Sequence, residues 1–273
     1  DAPQILYQFG KCDLNAQKFV AIVGTRNATK YGRDLTANLV KTLASSNPET
    51  VIISGLAYGI DIAAHKAALD YGLPTIGVVA HGLDRIYPHV HRQYASQMIQ
   101  SGGAIVTEYL SKTTPDPQNF VQRNRIVAGM CDVTVVVESA IKGGSLITAN
   151  LANDYNRDVM AFPGRVGDKT SEGCNKLIRQ HKAEIIPSAE DLINLMGWTA
   201  PEKNAIQQTL FNDLNPEQQS VIDLLKTEPQ HINTISTNLD LSIQKTSALL
   251  TEMVFDDLID QLPGDVYSLK FKS

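Results

Sequence analysis

The stretch FVAIVGTRNATKYG, Phe19 to Gly32, decides how the rest of the chain is read. Phe19 to Val23 is an apolar run rich in β-branched residues, the composition of a strand buried on both faces. It stops at Gly24. Thr25, Arg26 and Asn27 follow, and from Tyr31 to Leu43 the apolar residues Leu35, Leu39, Val40 and Leu43 return at helical spacing. The pattern is strand, tight turn, helix. A glycine in that turn lets the backbone bend sharply and lets a ligand approach it. The free N–H groups of the coming helix favour an anion, and Arg26 adds a planar fork of donors suited to phosphate. From this loop alone the alternative is equally open: Gly24 serves only the turn and Arg26 is solvated.

Outward from that stretch the pattern recurs. Val51 to Ile53 leads into SGLAYGID (Ser54 to Asp61) and a helix with small residues at Ala63, Ala64, Ala67 and Ala68. Thr75 to Val79 leads into AHGLDRIYPH (Ala80 to His89) and a helix around Tyr94 to Ile99. Ala104 to Thr107 is a fourth strand, and Glu108 to Asn119, with Pro115 and Pro117, is expected to be an irregular loop. FVQRNRIVAG (Phe120 to Gly129) predicts a short helix before the strand Val133 to Val137. KGGSLITAN (Lys142 to Asn150) opens the next helix, Val159 to Phe162 and Glu184 to Ile186 are further strands, and helices are predicted at Asn175 to Gln180 and Glu190 to Met196. Residues 1 to 18 are read as a lead-in. This alternation calls for an α/β fold, an extended Rossmann-like parallel sheet flanked by helices, over residues 1–196. The loops at Gly24, Ser54, Ala80, Ser139 and Pro163 then share the carboxyl edge, where such folds bind ligands. That edge collects Arg26, Lys142 and Arg165, with Arg123 and Arg125 from a following helix. Pairing with nearby carboxylates is the competing role for Arg123 and Arg125.

Residues 197–212 turn polar and read as a linker. In residues 213–273, three helical patterns and a strand–Pro263–Gly264–strand hairpin predict a small C-terminal winged-helix domain. Residues 200–273 hold five lysines against eleven Asp and Glu, near −6, which leaves 19 basic and 18 acidic residues in residues 1–199 and an overall charge of −5. The third helix offers Lys245 against Glu252, Asp256 and Asp257, so a protein contact suits this module better than a phosphate contact. Cys12, Cys131 and Cys174 form no CxxC pair and are read as reduced thiols of a cytoplasmic protein. No apolar run approaches the ~20 residues that span a bilayer, and no cluster of metal ligands is visible. The first residue is Asp1, so the chain is expected to be a fragment.

VGTRNATKYG, SGLAYGID, HGLDRIYP, FVQRNRIVAG and GGSLITAN, in this order, resemble the DNA-processing protein A family (DprA, also called Smf) over residues 20–196, and the winged helix fits the family's architecture. The resemblance implies a dimer that binds single-stranded DNA, protects incoming strands and helps load the RecA recombinase in natural transformation (competence), with no catalytic residues, no metal and no nucleotide cofactor. Carried over, it implies a DNA-binding set of Gly24, Thr25 and Arg26; Ser54 and Gly55; His89, where a lysine is frequent; Phe120, Arg123, Asn124 and Arg125; and Lys142, Gly143, Gly144 and Ser145, with Phe120 as the aromatic that stacks on a base. Thr25 stands where many members have Ser, and Val121 replaces a common Pro.

The rival reading is a nucleotide-binding, phosphoribohydrolase-like enzyme on a Rossmann-like fold, with Asp61, Asp84, Glu108 or Glu138 as acid or base. Its PGGxGTxxE loop is missing, since Pro163-Gly164-Arg165 continues as Val-Gly-Asp, and so is GxGxxG. The competing role for Asp61 is capping or pairing at a helix start. A third class is a structural adaptor acting through the acidic winged helix.

Overall fold

The structure, a computed structural model, describes residues 1–16, 18–198, 215–226, 228–256 and 258–269. The chain divides into two compact units, Asp1–Thr199 and Ala200–Ser273. Of the linker expected at 197–212, everything from residue 199 onward lies outside the described residues, as does Asp257.

The first unit is built on an eight-stranded sheet of order β1-β5-β4-β3-β2-β6-β7-β8. Its strands are β1 (Tyr7–Gly10), β2 (Phe19–Val23), β3 (Val51–Ser54), β4 (Thr75–Val78), β5 (Ala104–Thr107), β6 (Val133–Val136), β7 (Asp158–Ala161) and β8 (Glu184–Ile185). All pairs are parallel except β1, which joins β5 antiparallel. Residues 1 to 18 are therefore more than a lead-in. Four residues with two exposed side chains at their centre carry no strand periodicity, and β5 recruits them as an edge.

Both faces of the sheet are covered, which is why the central strands read as unbroken apolar runs. Ala21, Val23, Ile53 and Ile76 pack against α4 (Pro117–Met130), α5 (Ser145–Asp154) and α6 (Glu172–Arg179). Val20, Ile22 and Ile52 pack against α1 (Lys30–Ser46), α2 (Ile60–Tyr71) and α7 (Ala189–Leu195). The helix α3 (Arg92–Gln100) closes a smaller cluster through Ala95 and Met98. Fully buried residues such as Ile22, Ile52 and Leu39 each contribute about 1.5–3 kcal/mol of apolar burial. The three cysteines are buried, and burial pushes the thiols up, that of Cys174 to about 12.

The Pro-containing segment holds a correction. α4 begins at Pro117, within the stretch expected to be loop, because Asp116 caps it by accepting from the Gln118 N–H at 2.8 Å and proline tolerates the first helical turn. It runs 14 residues and is not short.

The second unit has α8 (Pro216–Leu225), α9 (Ile232–Leu239) and α10 (Ile243–Phe255), followed by a hairpin of β10 (Ile259–Leu262) and β11 (Val266–Leu269). A third strand, β9 (Gln230–His231), pairs with β11 and completes the winged-helix sheet. Its own core gathers Val221, Ile222, Ile235, Leu250 and Met253.

Two loops at the carboxyl edge of the large sheet are locked to each other. Gly59 caps α2 with φ +79°, and a Cβ there would run into the Thr25 and Arg26 carbonyls. Gly59→Ala is therefore expected to lower stability by about 1–3 kcal/mol, through a left-handed backbone and a collision with main chain. Thermal unfolding measures this, and an unchanged Tm would show that the two loops are not in contact.

Candidate nucleic-acid interface

The strand order reverses between β2 and β6, the switch point at which parallel α/β sheets open a crevice beyond their carboxyl ends. A cleft of about 750 Å³ opens there. Val23, Gly24, Thr25 and Arg26 wall it from β2, Gly55, Ala57 and Asp61 from the β3 loop, and Ala140, Gly143, Gly144, Ser145 and Thr148 from β6 and α5. Tyr87, Phe120, Arg123 and Asn124 close the remaining side.

Main-chain bonds fix the β2 turn. The Thr25 N–H donates to the Glu138 carbonyl at 2.8 Å, and the Thr25 carbonyl accepts from Ile60 N–H at 3.2 Å. Gly24 has no side chain because Ile60 fills the space: a Cβ would stand 2.5 Å from the Ile60 Cγ1. The glycine therefore admits α2, which is a different reason from the ligand approach expected of it. Arg26 is exposed at the lip and forms no ion pair among the described residues. Its guanidinium lies over the Phe120 ring at 5.6 Å, a cation–π contact that aims the fork without using its donors. Tyr87 meets the same ring at 5.8 Å and is half exposed. Sequence reasoning quoted Tyr87 within its motif but gave it no role; an aromatic before Pro88 in a carboxyl-edge loop was the available signal.

The two arginines of RNR differ from Arg26. Arg123 is 4 % exposed and donates to the main-chain carbonyls of Gly55, at 2.8 Å, and Val78. It stands against Asp61, whose carboxylate accepts from the Gly55 and Ala57 N–H groups at 3.1 and 3.4 Å. Burial pushes the Asp61 carboxyl up, and Arg123 opposes that by favouring the charged form. Asp61 thus neither caps α2 nor forms an ion pair among the described residues; its carboxylate holds the main chain of the β3 loop. Arg125 makes a 2.6 Å ion pair with Glu108 and does not line the cleft. Asn124 does line it, and accepts from the Arg123 Nε at 3.3 Å.

Other expected site residues are placed elsewhere. The Ser54 hydroxyl is buried and donates to the Ile22 carbonyl at 2.6 Å, so it ties β3 to β2 and does not face the cleft. His89 points into a separate groove of about 390 Å³ beside Phe9, Arg85 and Arg92. Lys142 is exposed on the loop before Gly143, outside the cleft wall. Gly143, Gly144 and Ser145 are where they were expected. Gly144 faces open space, while Ser145 is buried and donates to the Ser139 hydroxyl at 2.8 Å.

The helix N-termini along this edge of the sheet are not equivalent. At α1 the Glu138 carboxylate accepts from Thr29 N–H at 2.9 Å and from the Thr29 hydroxyl at 2.6 Å. At α2 Asp61 lies in the first turn. At α5 no side chain caps the first turn and no acidic residue lies in it. The partial positive charge of α5 is left facing the cleft, opposite the free fork of Arg26.

Residues 1–197 match the family described as DNA recombination-mediator protein A, and residues 207–265 match the DprA winged helix domain. The DNA processing protein DprA of Streptococcus pneumoniae is 39% identical over 193 residues, covering 71% of this chain and 67% of that protein. Protein Smf of Escherichia coli is 32% identical over 277 residues, covering 99% of this chain and 73% of that protein. The chain spans between half and three quarters of the length of the curated relatives it matches. Among solved structures, S. pneumoniae DprA superposes with a TM-score of 0.65 at 39% identity, over 71% of this chain and 66% of that one. A Helicobacter pylori DNA processing protein A, solved for its single-stranded DNA binding mode, superposes with a TM-score of 0.65 at 34% identity, over 73% of this chain and 90% of that one. On the extent of these matches, together with the sheet and the cleft at its switch point, the chain belongs to the DNA recombination-mediator protein A family, DprA/Smf.

Proposed function

We propose that the chain binds single-stranded DNA in the switch-point cleft, without catalysis, and delivers it to a RecA recombinase as a dimer during natural transformation. The observation that carries the binding step is the pairing, across one cleft, of an uncapped α5 N-terminus with an exposed, unpaired Arg26. One phosphate rests on the amides near Gly144, another in the Arg26 fork, and a base stacks on Tyr87 beside Phe120. Arg123 holds the wall through carbonyls of Gly55 and Val78, and Arg125, outside the cleft, is paired with Glu108. The solved H. pylori relative, described by its single-stranded DNA binding mode, supports the polymer class. Dimerisation of two such clefts raises avidity on a long strand without a new kind of contact.

The hydrolase reading has less support. Of the candidate carboxylates, Asp61 at the cleft wall and the buried Glu138 already accept hydrogen bonds from main-chain amides, which leaves them poorly placed to move a proton on a substrate. In the winged helix both lysines among the described residues are paired, Lys226 with Asp223 and Lys245 with Glu217. That unit suits a protein partner, in keeping with its negative charge.

Titration over a salt series against equal-length single-stranded and duplex DNA tests the proposal. Single strands are expected to bind more tightly and with little sequence preference; equal or tighter duplex binding overturns it. Arg26→Ala is expected to weaken all sequences alike, by on the order of tenfold to a hundredfold, since a charge-assisted hydrogen bond contributes about 1.5–3 kcal/mol. It should also flatten the log–log salt slope by about 0.7. Arg26→Lys should restore charge but only part of the affinity. Normal binding by Arg26→Ala, with binding lost in Arg125→Ala, would move the phosphate site to the RNR helix.

Removing residues 213–273 should leave single-strand affinity within about threefold, because that part of the chain is acidic overall and both lysines among its described residues are paired. A large loss in a truncated protein that still folds and dimerises would show that the winged helix touches DNA.

A further inference from the structure

In a nucleotide-binding α/β sheet the first strand–turn–helix unit holds the phosphate, on the free amides of the helix start. Here that unit is β2–α1, and its helix is 17 residues long, with no acidic residue in its first turn. Such an end ordinarily attracts an anion from solution. This one is already occupied from within the fold.

Glu138 lies two residues beyond the end of β6 and is 2 % exposed. Its Oε2 accepts from the Thr29 N–H at 2.9 Å and its Oε1 from the Thr29 hydroxyl at 2.6 Å. The Thr29 hydroxyl accepts in turn from the Gly32 N–H at 3.1 Å, so the carboxylate reaches the second orphan amide through it. Gly32 packs so closely on this carboxylate that a Cβ there would overlap Oε2 and Cδ. The two oxygens stand where two oxygens of a phosphate would be expected at a helix N-terminus. The same residue's carbonyl holds the Thr25 N–H, so Glu138 grips both ends of the turn that carries Arg26.

We infer that Glu138 is a resident anion that fills the phosphate position of the first strand–helix turn, beside the cleft wall, and thereby makes that turn refuse the phosphate of a free mononucleotide. It is a specificity-determining residue that acts through charge and shape. The nearby α5 end, with no such side chain, stays open to a phosphate. The assignment concerns α1 alone and stands whatever polymer occupies the cleft.

The test is a titration of the full chain, labelled with ¹⁵N, first with inorganic phosphate and then with AMP, read at the Thr29 and Gly32 amides. In the native protein these two resonances are expected to stay fixed. In Glu138→Ala they should move with phosphate, whose affinity at this position rises on the order of tenfold, the scale of an anion at a partly buried helix start. Glu138→Gln keeps the shape without the charge: phosphate should still leave both amides unmoved, but their hydrogen exchange should quicken. Native amides that follow phosphate, or a folded Glu138→Ala whose amides do not, overturn the inference. Should Glu138→Ala fail to fold, Gly32→Ala decides. Alanine ordinarily stabilises a helix relative to glycine, whereas here it must displace the carboxylate and lower Tm; a raised Tm would show that no carboxylate sits there.

Discussion

Thr25 is held from both sides at the switch point, its N–H by the carbonyl of Glu138 and its carbonyl by the Ile60 N–H at the start of α2. Much of the cleft depends on that constraint. β2 and β6 are neighbours in register, Val23 beside Val136, so the chain leaving each strand emerges within one hydrogen bond of the other. Gly24 and Gly59 exist to let α2 come that close. The result is a turn with little freedom, from whose rim Arg26 projects onto Phe120. A fork pre-aimed in this way loses less rotamer entropy when it takes a phosphate than a solvated arginine does.

Around this turn, charge is distributed by a simple rule. Carboxylates that enter the cleft region are used on the protein's own amides, and cations that enter it are sorted by burial. Arg123 is spent on carbonyls, Arg125 on Glu108, and Arg26 forms no ion pair among the described residues. Burying the Arg123 charge without those acceptors would leave it uncompensated in the core, so its two hydrogen bonds tie α4 to the ends of β3 and β4. An RNR motif therefore reads as three ligands in a row but folds as a wall.

Much of this was legible in the sequence, and the failures have physical causes. The buried strands, their order of appearance and the glycine loops follow from apolar runs and turn residues, because a sheet covered on both faces leaves no polar alternation to confuse. Gly143, Gly144 and Ser145 line the cleft, and a helix start is a local property that the sequence carries. Ser54, His89 and Arg125 do not line it, because which way a side chain points from a loop or helix face depends on partners far along the chain: Ile22, the Phe9 groove and Glu108. The closing role of Glu138 was invisible for the same reason, since its bond to Thr29 spans 109 positions. Likewise β1 had no pattern of its own, and only the exposed flank of β5 gives it a place.

That small strand has a further consequence. β5 is buried along its whole length and apolar up to Thr107, and its flank would present a row of unpaired amides and carbonyls if β1 were gone. Such a flank is a template for another copy's strand, the first step of sheet-to-sheet aggregation. β1 covers it with only four residues, the last of them Gly10, pressed against Gly103 and Ala104 with φ +129°. Antiparallel pairing and the outward Phe9 then end the sheet abruptly. The segment before Phe19, featureless as sequence, thus replaces the flank of a fully buried strand with a four-residue edge that is half exposed.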